Sequence, residues 1–176
     1  MNGIDFEKLP PILRALLASD GTVTKLLEAF YAEPIEVQRL SHAEFPAEHD
    51  LPPLDIVRGD TLLHRRILMC GARSATVYGF AQSYLRTDLL WPGVRDDLVR
   101  GTLGIGELMR ARRIETYREP LTCEFCPAAE LAPDLRVAPH DLLVSRTYRI
   151  FVGRAPCIYI VDKFPFALYS GHASSG

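Results

Sequence analysis

Two pairs of neighbouring hydrophobic segments, each pair joined by a short turn, constrain the fold of this 176-residue chain most strongly. The first pair covers 62–70 and 76–85, and the second covers 142–152 and 157–164. Both intervening turns contain glycine. Strands joined by short turns pair in antiparallel fashion, whereas parallel neighbours need a long crossover connection. The sequence therefore predicts an antiparallel sheet that contains two β-hairpins.

Helical periodicity surrounds these hairpins. Residues 9–19 carry Ile12, Leu13, Leu16 and Leu17 at helical spacing, and a second short helix is predicted through Leu26, Leu27 and Phe30. Further strands are predicted over 35–40 and 114–118, further helical turns around 94–99 and 105–109, and loops over 41–58 and 120–139.

This pattern predicts an α+β protein with a single antiparallel sheet of about six strands and flanking helices. At 176 residues the chain fits one domain over 1–176. We expect residues 1–8 and 170–176 to be frayed, since terminal segments of this length are often loosely held.

Composition excludes several kinds of partner. The net charge is −2 and no basic run occurs, so we expect neither nucleic acid nor an anionic membrane as a partner. We predict a cytoplasmic protein with reduced thiols, because the start lacks an apolar signal segment and no run could span a bilayer. Cys123 and Cys126 form a single CxxC, which we interpret as loop thiols rather than a metal site or disulfide.

Charged residues share strand faces with apolar ones. Because side chains alternate along a strand, Arg65 lies on the face of Leu63, Ile67 and Met69, and Asp162 on the face of Ile158, Ile160 and Phe164. By the same rule Arg149 lies with Leu143, Thr147 and Phe151. Three interpretations follow: an internal Arg65–Asp162 ion pair, an Arg65 side chain that reaches the sheet edge, or a cavity in which two arginines and a carboxylate hold an anionic small molecule.

Several short stretches, in order along residues 10–169, resemble the chorismate pyruvate-lyases that make 4-hydroxybenzoate, in the branch found in actinobacteria and archaea. The stretches are 20–27 (DGTVTKLL), 64–70 (HRRILMC), 105–109 (IGELM) leading into 114–117 (IETY), 146–150 (RTYRI), and 153–156 (GRAP) leading to 161–164 (VDKF). The resemblance implies an antiparallel sheet with an internal ligand cavity beneath helical flaps. It also implies a lyase that converts chorismate to 4-hydroxybenzoate and pyruvate without a metal or organic cofactor, in quinone synthesis or secondary metabolism.

The resemblance also implies roles for individual residues. Arg65 corresponds to the arginine that holds the substrate carboxylate, and Asp162 to a glutamate that meets the ring-oxygen side; these two are the predicted catalytic residues. Ile105 and Gly106 correspond to a ligand-contacting segment with nearby backbone N–H groups, and Arg149 to a basic strand position. The partner implied is a small anionic substrate, bound by a monomer or a homodimer.

The aspartate at position 162 departs from the family glutamate by one methylene group. A shifted strand could compensate for it, the substrate could be another carboxylated molecule, or lyase activity could be lost. The alternative function is a non-catalytic domain that binds a small carboxylate, as in the effector domains of some bacterial transcription regulators. We expect the enzyme, because fewer than ten residues precede the first predicted helix and leave no room for a DNA-binding motif.

Overall fold

A computed structural model describes residues 4–90, 92–100 and 104–171. It contains one antiparallel sheet in the order β1-β2-β3-β6-β5-β4. The strands are β1 (Ile35–Pro46), β2 (Thr61–Gly71), β3 (Val77–Leu85), β4 (Thr116–Pro127), β5 (Leu142–Val152) and β6 (Ala155–Pro165). Both predicted hairpins are present as β2–β3 and β5–β6, and β3 pairs with β6 to join them. The predicted α+β fold with a six-stranded antiparallel sheet is confirmed.

Six α-helices accompany the sheet in the described residues. They are α1 (Pro11–Ala18), α2 (Val23–Tyr31), α3 (Pro92–Arg100), α4 (Ile105–Ala111), α5 (Ala132–Leu135) and α6 (Phe166–Ser170). Short 3-10 helices lie at Phe6–Lys8, Pro52–Leu54, Thr87–Leu89 and Ala129–Leu131. Within the part of the chain that the structure describes, no helix is both long and apolar enough to cross a membrane.

The two edge strands are longer than the sequence predicts. Strand β1 continues to Pro46 and β4 to Pro127, so parts of 41–58 and 120–139 that were predicted as loops are strand. Proline lacks the N–H that a central strand needs for its ladder, but an edge strand tolerates it. In β4 the register also shifts between Pro120 and Thr122, which disrupts the alternation from which a strand is recognised.

Helices α1 and α2, together with α3 and α4, cover the same face of the sheet. The apolar stripes of α1 and α2 pack against Met69, Val144 and Phe164 in one cluster. Of the segment 1–8 that is expected to be frayed, Ile4 and Phe6 pack on this cluster, and residues 1–3 lie outside the described residues. Of the C-terminal segment 170–176, which is also expected to be frayed, residues 172–176 lie outside the described residues.

A second cluster on the same face lies beneath α3 and α4. It includes Leu63, Leu85, Leu98, Leu108 and Ile158. The opposite face of the sheet is covered by two smaller groups, one around Leu68, Phe80 and Leu143 and the other around Leu54, Ile56 and Leu62. The central part of the helix-covered face lies between the two larger clusters, and side chains outside these clusters occupy part of it.

A buried glutamate fastens the β2–β3 turn to the end of α2. Glu33, 7 % exposed, accepts hydrogen bonds from the Tyr78 hydroxyl at 2.5 Å and the Ser74 hydroxyl at 2.8 Å. The backbone N–H groups of Arg73 and Ser74 donate to its other oxygen, each at 3.1 Å. Gly71 lies so close that a Cβ there would stand 2.4 Å from the Glu33 carboxylate, which only glycine avoids.

Candidate active site

A cavity lies between the two clusters on the helix-covered face. Its empty space, which includes open solvent at its mouth, is about 620 Å³. The sheet supplies the floor and the starts of α2 and α4 supply the roof. Most of the wall is apolar, and its polar and charged members are Thr22, Thr24, Arg65, Ser83, Arg118, Tyr148 and Asp162.

Arg65 is a floor residue of this cavity. It lies in β2, directly across from Ser83 of β3 and His42 of β1, and its exposure is only 2 %. Burial lowers the pKa of the Arg65 guanidinium, and the nearby Arg39 charge lowers it further. With this exposure the side chain does not reach bulk water at the sheet edge, so that predicted alternative is wrong. A guanidinium remains charged even with a lowered pKa, which makes Arg65 a buried cation at the cavity wall.

Asp162 pairs with Arg146, which is not among the site residues predicted from the sequence. Asp162 and Arg146 face each other across β6 and β5, and Arg146 Nε donates to Asp162 Oδ2 at 3.0 Å. Both residues are buried, at 3 % and 6 % exposure. The Arg65–Asp162 ion pair considered from the sequence is therefore replaced by Arg146–Asp162.

The same arginine connects the sheet to the helical roof. Arg146 Nη1 donates to the main-chain carbonyls of Leu16, Leu17 and Ser19, at 2.5, 3.3 and 3.0 Å, at the end of α1. A cation at a helix C-terminus satisfies carbonyl groups that have no partner within the helix. Arg146 thereby holds the α1–α2 connection against the sheet next to the cavity.

The carboxyl group of Asp162 has an unusual environment. Burial raises its pKa above the usual value for aspartate, while Arg146 opposes that shift. Burial also raises the pKa of the neighbouring Tyr148 hydroxyl, and the Arg146 guanidinium lies 4.7 Å from the Tyr148 ring centre. A carboxyl group whose pKa is displaced toward neutral pH, placed in a cavity, is a candidate for proton transfer or for hydrogen bonding to a ligand oxygen.

Arg118 is a second cation at the cavity wall. It lies in β4, opposite Ile150 of β5, and its Nη1 donates to the main-chain carbonyl of Asp20. Its charge lowers the pKa of both Asp162 and Tyr148. Arg118 is not among the site residues that the sequence predicts, because the short strand predicted over 114–118 has no assigned inward face.

Arg149, in contrast, is outside the cavity. It lies on the opposite face of the sheet, where it pairs with Glu119 and donates to the Pro53 carbonyl at 3.1 Å. The predicted position of Arg149 among the ligand-binding residues is wrong. Both faces of β5 are buried, so its apolar pattern does not identify the inward face; the register with Asp162 assigns that face to Arg146, Tyr148 and Ile150.

The roof of the cavity depends on a close approach of two helices. Ile105 and Gly106 open α4 after Gly104, where the sequence predicts a helical turn, and both line the cavity. A Cβ on Gly106 would lie 3.0 Å from Thr22 Oγ1 at the start of α2. Glycine at this position thus lets the two helix starts meet. Of the five predicted site residues, the structure brings together Arg65, Ile105, Gly106 and Asp162.

The cysteines do not form a cluster with metal-binding geometry. Cys123 lies opposite Arg146 and Cys126 opposite Leu143, so the two thiols of the CxxC point to different faces of β4. They lie in a strand and not in the predicted loop. Among the described residues, no group of three or more histidine, cysteine, aspartate or glutamate side chains could hold a metal ion.

Comparison with known proteins identifies the family. The model of the Rv2949c-like chorismate pyruvate-lyase family matches residues 17–171. This chain belongs to that family. A chorismate pyruvate-lyase of Mycobacterium leprae is 30 % identical over 167 residues, which are 91 % of this chain and 77 % of that protein. One from Mycobacterium tuberculosis is 27 % identical over 171 residues, 91 % of this chain and 82 % of that protein.

Solved structures that share the fold with this family member include regulator domains. The C-terminal domain of the histidine utilization repressor from Pseudomonas syringae superimposes with a TM-score of 0.62 at 16 % identity, covering 81 % of this chain and 96 % of that one. The effector domain of PhnF from Mycobacterium smegmatis gives 0.63 at 13 % identity, covering 82 % and 88 %. At such identities the likeness concerns the fold alone.

Proposed function

We propose that this protein is a chorismate lyase, which converts chorismate to 4-hydroxybenzoate and pyruvate. The observation that carries the proposal is the buried Arg65 guanidinium at the wall of a largely apolar cavity in a member of this family. Chorismate has a carboxylate on its ring and another on its enolpyruvyl group. A desolvated guanidinium binds a carboxylate strongly, because its planar fork can donate two parallel hydrogen bonds.

The binding residues divide between floor and roof. Arg65 would hold the ring carboxylate from the sheet. The first turns of α2 and α4, at Thr22 and at Ile105–Gly106, would cover the ring, and the partial positive charge of helix starts favours an anionic ligand beneath them. The apolar walls would exclude water from the ring, which strengthens each of these electrostatic contacts.

The reaction needs little covalent help from the protein. The bond between the ring carbon and the ether oxygen breaks, so that the enolpyruvyl group leaves with this oxygen. The ring loses one proton and becomes aromatic. The departing enolpyruvate gains one proton at its methylene carbon and becomes pyruvate. Atoms and charge balance without another reactant. Asp162 would meet the ring-oxygen side, where a carboxyl with a raised pKa can share a proton with the substrate. The remaining contribution is orientation and stabilisation of the negative charge that develops on the leaving group.

Incubation of the purified protein with chorismate tests this proposal. We expect 4-hydroxybenzoate and pyruvate in equal amounts, the first measured by absorbance after chromatography and the second by coupled reduction with lactate dehydrogenase. Arg65→Met, which keeps an unbranched side chain, should lower kcat/KM by about 100-fold or more, since a buried charged hydrogen-bonding group is lost. Absence of product at high enzyme concentration overturns the proposal.

A second candidate function is binding of a carboxylate ligand without turnover. Two observations favour it: solved domains of transcription regulators share this fold, and position 162 carries aspartate where the resemblance implies glutamate. Asp162→Glu distinguishes the candidates. If the natural protein binds 4-hydroxybenzoate without converting chorismate, and the variant gains turnover, then the natural protein with its shorter carboxylate is a binding domain. Turnover of chorismate by the natural protein excludes this candidate.

A further inference from the structure

We propose that Tyr148 recognises the ligand hydroxyl group that lies para to the carboxylate, and that it thereby selects hydroxylated aromatic acids. This inference rests on the proposed function and deepens it, because it assigns the end of the cavity opposite Arg65. It follows from a row of residues that crosses the sheet, from the burial of Tyr148, and from the groups around its hydroxyl.

Tyr148 lies in the same cross-strand row as Arg65. Arg65 of β2 pairs with Ser83 of β3. Ile160 of β6 pairs with Ser83 on one side and with Tyr148 of β5 on the other. All four residues line the cavity. The row therefore has a long polar side chain at each end, and a small and an apolar side chain form the floor between them.

The length of this row suits a ring with polar groups at both ends. The main chains of Arg65 and Tyr148 are three strand spacings apart, which is about 14 Å. A para-hydroxybenzoate with a hydrogen bond at each end spans roughly 12 Å. Chorismate has its ring hydroxyl para to the ring carboxylate, and 4-hydroxybenzoate keeps this hydroxyl. With the carboxylate at Arg65, the hydroxyl lies at Tyr148.

Tyr148 is a buried residue of the cavity wall. Its exposure is 9 %, and the Arg146 guanidinium lies 4.7 Å from the centre of its ring. Tyr148 and Arg118 also line a neighbouring cavity beneath residues 17–20. These two side chains thus stand between the cavities and close this end of the floor. A ligand that fills the floor up to this wall contacts Tyr148.

The phenol of Tyr148 keeps its proton at neutral pH. Burial raises the pKa of Tyr148, and the Asp162 charge raises it further against the opposing charges of Arg146 and Arg118. Tyr148 therefore binds a ligand as a neutral hydroxyl group, which has one donor and two acceptor lone pairs.

Asp162 determines the direction of the hydrogen bonds at this hydroxyl. Burial raises the pKa of Asp162, whereas the Arg146 charge and hydrogen bonds from Arg146 and Tyr148 lower it. A hydrogen bond that lowers the pKa of a carboxyl group is one that is donated to the carboxylate. The single proton of Tyr148 is thus used on Asp162. Even with Arg146 donating to one lone pair, the other lone pair accepts, so the ligand hydroxyl donates to Tyr148.

Two ligands that differ only in the hydroxyl provide the test. By titration calorimetry, the natural protein should bind 4-hydroxybenzoate about five- to tenfold more tightly than benzoate, the usual effect of one hydrogen bond. Tyr148→Phe keeps the ring and removes only the hydroxyl. In this variant the ratio should fall below about twofold, while the Kd of benzoate stays within about twofold. 4-Fluorobenzoate has no proton to donate and should bind like benzoate to both proteins.

Tyr159→Phe is the matched control. It makes the same change on the neighbouring strand β6, where Tyr159 packs on the opposite face of the sheet beside the group around Leu54, Ile56 and Leu62. The ratio of the two dissociation constants should equal that of the natural protein.

The outcomes separate the two proposals. An unchanged ratio in Tyr148→Phe overturns the inference, and so does an equal loss of affinity for both ligands, which would show that Tyr148 only supports the wall. A natural protein that converts chorismate but does not distinguish the two ligands also overturns it and leaves the proposed function intact. If the natural protein forms no product but shows the expected ratios, the proposed lyase fails and recognition by Tyr148 stands. If it binds neither ligand and forms no product, both proposals fail.

Discussion

At the scale of single residues, two buried charged groups of this protein, Arg146 and Glu33, bind partners from distant parts of the chain. Arg146 joins the end of α1 to Asp162, and Glu33 joins the end of α2 to the β2–β3 turn. Such groups cost free energy when buried alone, so each one fixes a particular arrangement of elements. Substituting one partner affects the position of a whole segment.

The carboxylate of Glu33 should make stability depend on acid pH. Hydrogen bonds from Tyr78 and Ser74 lower its pKa from 4.5 to about 2 in the folded protein. Since the folded pKa is the lower one, its stabilising contribution is complete above about pH 4.5 and is lost as pH falls toward 2. The free energy of unfolding in urea, measured across this range, should therefore fall more steeply for the natural protein than for Glu33→Gln.

Tyr78→Phe supplies the control for this prediction. It removes the hydroxyl that has the largest effect on the Glu33 pKa but keeps the ring that stacks on Tyr31. Its pH dependence should lie between those of the natural protein and Glu33→Gln. Parallel pH profiles for all three proteins would show that Glu33 has the same pKa in the folded and unfolded chains.

The sequence predicts which residues are buried better than it predicts which face they share. The sequence predicts Arg65 and Asp162 on the inward faces of their strands, and both line the cavity, although burial alternates along only part of β2 and β6. On β5 both faces are buried, and the residue chosen was Arg149 instead of Arg146. Only the register with β6, a long-range property, decides between them.

At the scale of elements, the cavity exists because the starts of α2 and α4 touch. Gly106→Ala should disturb this contact without harming the helix, since alanine is the better helix former by about 0.5–1 kcal/mol. The added Cβ would press on Thr22, at 3.0 Å from its Oγ1 and 3.4 Å from its Cγ2. We expect unchanged or higher thermal stability and about three- to tenfold weaker binding of 4-hydroxybenzoate, because the roof moves off the ligand.

The double variant Thr22→Ala with Gly106→Ala tests the same contact from its other side. Thr22 precedes α2 without a side-chain capping hydrogen bond, so its truncation removes the clashing atoms at little cost to the helix. The affinity lost in Gly106→Ala should return. If the double variant binds as weakly as the single one, the helix contact does not control the roof.

The elements that the sequence predicts best are those with local signals. Helices α1 and α2 and both hairpins follow from periodicity and turn residues within short windows. The ends of β1 and β4 do not, since Pro46, Pro120 and Pro127 are ordinary loop signals. A strand tolerates these prolines only at the edge of a sheet, and the assembly of the whole sheet determines which strands lie at its edges.

At the scale of the whole molecule, the sheet separates the face that carries the cavity from the opposite face, on which Arg149 lies. The helix-covered face contains the cavity with Arg65, Arg118 and Asp162, whereas Arg149 lies on the opposite face with Glu119. We therefore expect Arg149→Met to leave the Kd of 4-hydroxybenzoate within about twofold. The side chains of Arg149 and Glu119 are 25 % and 36 % exposed, so the loss of their ion pair should lower the free energy of unfolding by no more than about 1 kcal/mol.

Arg65→Met is the matched comparison, because it makes the same substitution on the other face of the same sheet. Calorimetric titration should detect at least a tenfold loss of 4-hydroxybenzoate affinity for this variant, since the ligand carboxylate then lacks its buried guanidinium. A comparable loss in Arg149→Met would mean that both faces of the sheet contribute to binding. In that case the two faces would be coupled through the strands, and the division of roles between them would be incorrect.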